Sequence, residues 1–358
     1  MDRAWSMRPY ENGDEEAIFE LDSAMGGETR DKNRWLRWWN WKYRDNPAGN
    51  FVIWLAEVDG KLVSQYAING VKVKIGSEII AASQSVDTMT HPDYRGHGIF
   101  FTLSTRVFDE AGKQGIDIVY GFPNQMTSWH QKCWFEVGAE SIMIKPLNLE
   151  NILTKYITNK FLLKICAVSA NFIIKALYRT KKPPKVNGLT IIRIPSFDER
   201  INDLWEKVSN DYEIMVIRDK EYLNWRYVDV PDVDYGIYLA EKEGQILGYA
   251  VLKCEKQQGL IFGRIFELVV PLEQQAVAQS LIIKAIEFFK EEKADLILYR
   301  LIADKALCKT VRKSGFIFPR FTGNKVRFVA RPNTPKISET FLKDRAHWFV
   351  QTGDSDTI

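Results

Sequence analysis

The chain repeats itself, and this restricts the folds open to it. Residues 40–60 read NWKYRDNPAGNFVIWLAEVDG and residues 224–244 read NWRYVDVPDVDYGIYLAEKEG; aligned without a gap, 10 of 21 positions are identical. Met7-Arg8-Pro9 stands against Ile192-Arg193-Ile194 at nearly the same offset. Identities at such uneven spacing point to duplication of a whole domain. The length of 358 residues suits two cores of about 150 residues each plus connections.

Both copies predict the same order of elements. A short strand (7–10; 190–194) leads to an acid-rich helix start, Asp14-Glu15-Glu16 or Asp198-Glu199, where carboxylates complement the helix dipole. An aromatic helix follows and ends by Pro47 or Pro231. Next come a strand (FVIWLAEV; GIYLAEK), a tight turn at Asp59-Gly60 or Glu243-Gly244, and a second strand (KLVSQYAI; QILGYAVL). Trp35, Trp38 and Trp39 share one face of the first aromatic helix, which predicts packing, with an aromatic wall for a sugar or apolar acceptor as the alternative. Trp41 and Trp225 match between copies and are expected to be structural.

Beyond this point the copies diverge. In the first, a strand over 82–90 runs into HPDYRGHGIFFTLSTRVFDEAGKQG, with Ile99, Leu103, Val107 and Ala111 at helical spacing. Arg95-Gly96-His97-Gly98 therefore lies between a strand end and a helix start. Successive backbone N–H groups there, with the helix dipole, make a site for a pyrophosphate. Glycine permits the close approach that a side chain would block. In the second copy the stretch reads FELVVPLEQQAVAQSLIIKAIEFF, and no glycine occurs from Arg264 to Ser314.

The first copy resembles the GNAT acyl-CoA N-acyltransferase superfamily, whose motif Arg/Gln-x-x-Gly-x-Gly/Ala is met by Arg95 and Gly98, with Phe100 departing at the last position. The resemblance continues through a fifth strand over 116–121 and the loop at Pro123-Asn124, where the family's Asn contacts the cofactor. It then reaches Trp129-His130-Gln131-Lys132-Cys133-Trp134-Phe135, set against the family's Leu-Tyr-x-Lys-x-Gly-Phe. It covers roughly residues 5–145 by motif and 190–330 by architecture only.

It implies an α/β (α+β) protein of two GNAT-like domains, each a mixed, mostly antiparallel twisted sheet flanked by helices. The expected boundaries are 1–148 (catalytic), 149–188 (basic helical connector), 189–332 (degenerate) and 333–358 (tail). It implies acetyl-CoA or another acyl-CoA as cofactor, and no metal. The backbone of Thr88, Met89 and Thr90 would hold the pantetheine arm; Arg95, Gly96, His97, Gly98, Ile99, Phe100 and Asn124 would hold the rest. His130 occupies the place of the tyrosine that often protonates the leaving thiolate. Ser83-Gln84-Ser85 carries no acid where many members have their base, so Asp87 is the nearest candidate. In the second copy Lys313-Ser314-Gly315-Phe316 keeps the final turn, but Val311 stands at the catalytic position, so this half is expected to be structural.

The expected activity is transfer of an acyl group to a small-molecule amine, an amino sugar among the possibilities; the alternative is a non-catalytic acyl-CoA-binding or scaffold protein. A net charge of +3 gives no reason to expect a nucleic-acid partner. Cys133, Cys166, Cys254 and Cys308 form no CxxC pair, His91 and His97 read as loop residues, and no cluster has metal-ligand spacing. With an N-terminus charged early and no apolar run of 18 residues, a cytoplasmic location is expected.

Two segments remain. Between Asn151 and Phe197 there are seven Lys, two Arg and no acid, and NKFLLKICAVSANFIIKALYRTKK predicts an amphipathic helix broken at Pro183-Pro184. It reads as an interdomain helix or, through residues 151–185, as a peripheral membrane contact. The tail, HWFVQTGDSDTI, is expected to dock, folding Asp354, Asp356 and the carboxylate of Ile358 back toward the first copy's acceptor site.

Overall fold

A computed structural model describes residues 4–26, 31–123, 133–139, 141–302, 305–319 and 326–356. The chain divides into two compact units: residues 1–139, 229–233 and 326–347, and residues 140–228, 234–325 and 348–358.

The first unit is a mixed sheet between helices. Strands β1 (Ser6–Pro9), β2 (Val52–Val58), β3 (Lys61–Ile75) and β4 (Glu78–Thr90) pair antiparallel in that order. β5 (Ile118–Gly121) runs parallel to β4. The chain alternates faces along β2 because strand side chains have a period of two. Val52, Ala56 and Val58 pack with Leu103, Val107 and Ala111 of helix α3 (Ile99–Lys113). Ile53 and Leu55 pack on the other face with Ile18 and Leu21 of α1 (Glu15–Ala24) and Trp35, Trp39 and Tyr43 of α2 (Lys32–Tyr43). Trp41 and its counterpart Trp225 are both buried, and Trp38 is half-buried.

The second unit repeats the pattern. β8 (Thr190–Ile194), β10 (Gly236–Lys242), β11 (Gln245–Gln257) and β12 (Leu260–Val269) pair antiparallel, and β13 (Leu296–Ile302) runs parallel to β12. Helices α6 (Arg200–Ser209), α7 (Lys220–Tyr227) and α8 (Gln275–Glu291) stand in the places of α1, α2 and α3, and α9 (Lys305–Lys313) follows β13.

The contiguous boundaries expected at 148/149 and 332/333 do not hold. β6 (Phe135–Ala139) stays in the first unit, but β7 (Ser141–Pro146) pairs antiparallel with β13 in the second. β14 (Arg327–Pro332), from the second copy, pairs with β5 and β6 and completes the first unit's sheet. Each fifth strand thus has its outer edge covered by a strand from the other copy. An open edge must be covered, and nothing in a strand's residue pattern says which copy supplies the cover.

The tail is divided as well. Residues 333–347, including α10 (Glu339–Lys343), belong to the first unit, while β15 (Trp348–Gln351), parallel to β9 (Ile214–Val216), and the turn after it belong to the second. Asp354 is buried in the second unit, where both its oxygens accept from Arg218 Nη2 at 2.8 Å. Its carboxylate is therefore committed to an internal ion pair and does not serve an acceptor site in the first copy. Asp356 is exposed, and Ile358 lies outside the described residues.

The connector forms α4 (Glu150–Leu153) and α5 (Lys160–Leu177), all within the second unit. α5 ends before the expected break at Pro183: Tyr178 leaves the helical conformation with φ −104 and ψ 38, and its carbonyl accepts from buried Lys145 Nζ at 2.7 Å. Gly315 lies against the same point: with φ +86, a Cβ there would meet Tyr178 O at 2.2 Å. The retained Gly of Lys313-Ser314-Gly315-Phe316 thus has a packing reason independent of any ligand. Burial pushes the Lys145 ammonium down to about 8.

Candidate active site

The site begins with an irregularity in β4. β3 and β4 pair Gln65 with Met89, and then the register shifts so that Ala67 pairs with Val86. The extra residue makes a bulge at Asp87, whose φ is +44; an acidic side chain tolerates this left-handed conformation better than most. Lys42 Nζ donates to both Asp87 oxygens at 2.8 Å and Tyr43 OH donates to Oδ2 at 2.7 Å. Gln65 Nε2 donates to the Asp87 carbonyl at 2.9 Å.

Next to the bulge the sheet opens. The β4–β5 ladder has three rungs, Ala82–Ile118, Ser83–Val119 and Gln84–Tyr120, and among the described residues it extends no further. β4 continues to Thr90, which leaves a cleft beside its last residues. A cavity of about 340 Å³ lies there, lined by Thr88, Met89, Thr90, Arg95, Gly96, Gly98, Ile99 and Phe100, together with Met25 and Tyr94. Eight of the ten residues expected to hold an acyl-CoA therefore converge on one cavity. His97 is in the same loop but not in its lining, and Asn124 lies outside the described residues, as does His130.

The local sequence explains the loop. His91 accepts from Asp93 N at 3.3 Å and starts a 3-10 turn, Pro92–Tyr94. Gly96 and Gly98 take φ +84 and +73, and a Cβ at either would meet no protein atom within 4 Å. These glycines are thus required by conformation, and the space in front of them is clear for a ligand. Gly98 caps α3, whose first-turn amides have no intrahelical acceptor. Arg95 Nε donates to Thr90 O at 3.1 Å, tying the loop to the strand end. Phe100, the departure from the motif, turns its ring into the core, 5.5 Å from that of Tyr66, so its bulk does not fill the loop. Burial raises the Tyr66 phenol above its ordinary range, and its OH meets Ser85 Oγ at 3.0 Å.

An acyl-CoA fits this arrangement. Bare glycine amides and a helix N-terminus suit a pyrophosphate, and an unzipped strand edge offers backbone groups to an amide-bearing arm. On the face covered by α1 and α2, the side-chain atoms Gln65 Oε1 and Gln84 Nε2 are buried without a protein partner. Among the described residues no three His, Cys, Asp or Glu side chains are grouped to hold a metal.

Sequence reasoning missed Lys42 and Tyr43. The signal lay in the repeat, NWKY against NWRY. In the second unit Tyr227 OH donates to Glu267 Oε1 at 2.9 Å. Tyr249 pairs with Val269 as Gln65 pairs with Met89, which puts Leu268 in the place of Thr88 and Glu267 in that of Asp87. The bulge carboxylate and the tyrosine that holds it thus occur in both copies.

Residues 6–135 match the model of the acetyltransferase (GNAT) domain. A search of curated protein sequences gave no match. Among solved structures, a probable N-acyltransferase from Enterococcus faecalis aligns over 92% of this chain and 73% of its own, with a TM-score of 0.62 and 15% identity. A GCN5-related N-acetyltransferase from Anabaena variabilis aligns over the same shares, with a TM-score of 0.61 and 13% identity. N-myristoyltransferase from Saccharomyces cerevisiae, solved with bound myristoyl-CoA, aligns over 93% of this chain and 83% of its own, with a TM-score of 0.60 and 13% identity. The chain has the fold of these acyltransferases, and its first copy, over residues 6–135, is similar to the acetyltransferase (GNAT) domain.

Proposed function

We propose that the first unit moves an acyl group from an acyl-CoA to the amine of a small molecule. The observation that carries this reading is the open cleft beside the β4 bulge, which meets the Gly96–Gly98 turn in one cavity. The Thr88–Thr90 backbone would hold the pantetheine arm, and the loop from Arg95 to Phe100 the pyrophosphate. The bound thioester supplies the acyl carbon that the amine attacks, so no protein nucleophile is needed.

The protein's part is to position the groups, obtain a neutral amine and return a proton to sulfur. Deprotonating a lysine-like amine costs about 4.6 kcal/mol at pH 7, whereas an amine of pKa near 8 costs about 1.4 kcal/mol. We assign Asp87 to holding the bulge rather than to proton transfer, because Lys42 and Tyr43 occupy its oxygens and the second unit repeats the tyrosine contact. His130 is the proposed acid toward the thiolate.

The test is release of thiol from acetyl-CoA and from longer acyl-CoAs, with a panel of amines and amino sugars. Amine-dependent release should appear, and His130→Phe should reduce it about 10–1000-fold with acyl-CoA affinity retained. Stoichiometric binding without release for any acceptor would favour the second reading, an acyl-CoA-binding scaffold. The fixed Asp87 and the lack of an acid in Ser83-Gln84-Ser85 are what speak for it.

A further inference from the structure

We propose that the outward face of α5 docks in the plane of an anionic lipid surface. The helix is well anchored: Asn159 Oδ1 accepts from Phe161 N at 3.0 Å and Leu162 N at 3.1 Å, capping its start. Its inner face is committed to the second unit, with Ala167 buried and Asn171 bonded to Leu149 N at 2.8 Å and to Asn148 Oδ1 at 2.9 Å.

Among the described residues the opposite face has no such cover. Phe161, Ile165, Val168 and Phe172, spaced four, three and four residues apart, are 77, 49, 65 and 74% exposed. Leu162 and Ile173 are exposed beside them. Single exposed apolar residues are ordinary, but a contiguous stripe of large ones marks an interaction surface. At about 100° per residue, Lys160, Lys164 and Lys175 fall along one flank of this stripe.

Charge selects the partner. Seven Lys and two Arg lie between Asn151 and Phe197 without a single acid. A second copy meeting this face through a two-fold axis would set the same basic patch against itself. An anionic surface satisfies both the stripe and the lysines, the side-chain pattern of an interfacial helix. Among the described residues no helix is long and apolar enough to cross a membrane, so the contact lies in the plane. This inference does not depend on the acyl-transfer reading.

The experiment is flotation of the full chain with vesicles of phosphatidylcholine alone or with about one-third phosphatidylglycerol. The chain should bind the anionic vesicles at least about tenfold more tightly than the neutral ones, and salt should weaken the binding. The triple variant Phe161→Ser, Val168→Ser, Phe172→Ser should lose at least about tenfold, with an unchanged melting curve because these side chains are exposed. Lys164→Gln with Lys175→Gln should lose about fivefold per charge, and this pair keeps the test decisive if the triple variant fails to fold. Absence of binding to either vesicle, equal binding to both, or unaltered binding by the variants would overturn the proposal. So would a stable dimer that the triple variant dissociates.

Discussion

The bulged fourth strand occurs twice in this chain, and what stands beside it differs. In the first unit the Asp87 side chain is 24% exposed, and among the described residues no strand enters the cleft where the β4–β5 ladder stops. In the second, Glu267 is completely buried and β15 has entered the corresponding gap, pairing with Leu301 and Ile302 just past the four-rung β12–β13 ladder. Gln351 Oε1 accepts from Leu268 N at 2.9 Å, and Gln351 Nε2 donates to Leu268 O at 3.3 Å. A side-chain amide of the tail thus bonds the backbone at the position equivalent to Thr88, where the first unit would bond an amide of the pantetheine arm. Ahead of α8, Leu272 N donates to Asp211 Oδ2 at 2.8 Å, so a protein carboxylate sits near this helix start.

The difference shows how one scaffold supports either a cleft or a core. A gap in a sheet leaves backbone groups that need partners. Among the described residues the first unit sets no strand against them. The second fills them with its own chain, and this brings Arg218, Glu267 and Asp354 out of water together. Burial pushes the Glu267 carboxyl up, opposed by the Arg218 guanidinium at 2.9 Å. Buried charges of this kind persist only when mutually paired.

The comparison is most severely tested at Arg218. Arg218→Met strands two buried carboxylates and should lower stability by about 3–5 kcal/mol in urea unfolding. A loss below about 1 kcal/mol would mean that water reaches the second cleft and that it is not sealed. The corresponding test of the open cleft is Gly98→Asp, which sets a negative side chain against a pyrophosphate. Acyl-CoA binding by calorimetry, one equivalent per chain in the parent, should fall at least about 100-fold, and two equivalents in the parent would end the distinction between the clefts.

Gln351→Ala asks whether the plug alone excludes a ligand from the second unit. Stability should drop by about 1–3 kcal/mol as the Leu268 backbone loses its partner. The stoichiometry should stay at one, because no glycine turn precedes α8; a second equivalent would show that the tail is the only barrier. The smallest effects are expected from the matched pair Tyr43→Phe and Tyr227→Phe, each about 1 kcal/mol, with Tyr227 the more costly because its partner Glu267 is completely buried whereas Asp87 is part-exposed. Should Tyr43→Phe instead alter the pH profile of turnover while leaving stability intact, Asp87 takes part in proton transfer after all.

Much of this was legible in the chain because it depends on short-range chemistry. The repeat announced two similar cores, since packing one apolar pattern requires the same layers each time. The Arg95–Gly98 turn was found because left-handed backbone and close approach both call for glycine, and the strand and helix around it follow from local periodicity. The basic helix was visible as a charge run with an apolar stripe. Other features depend on contacts between distant residues. Trp41 and Trp225 are 184 residues apart, but Asp87 and Glu267 are 180 apart, because the second copy's hairpin is shorter. Only the strand register reveals that the two carboxylates correspond. The exchange of β7 and β14, the Lys42–Tyr43 hold on Asp87 and the seat of Gln351 were decided by tertiary structure for the same reason. Hydrogen-bond partners of an open strand edge are chosen by what lies next to it in space, and the order of residues along a chain does not specify that neighbour.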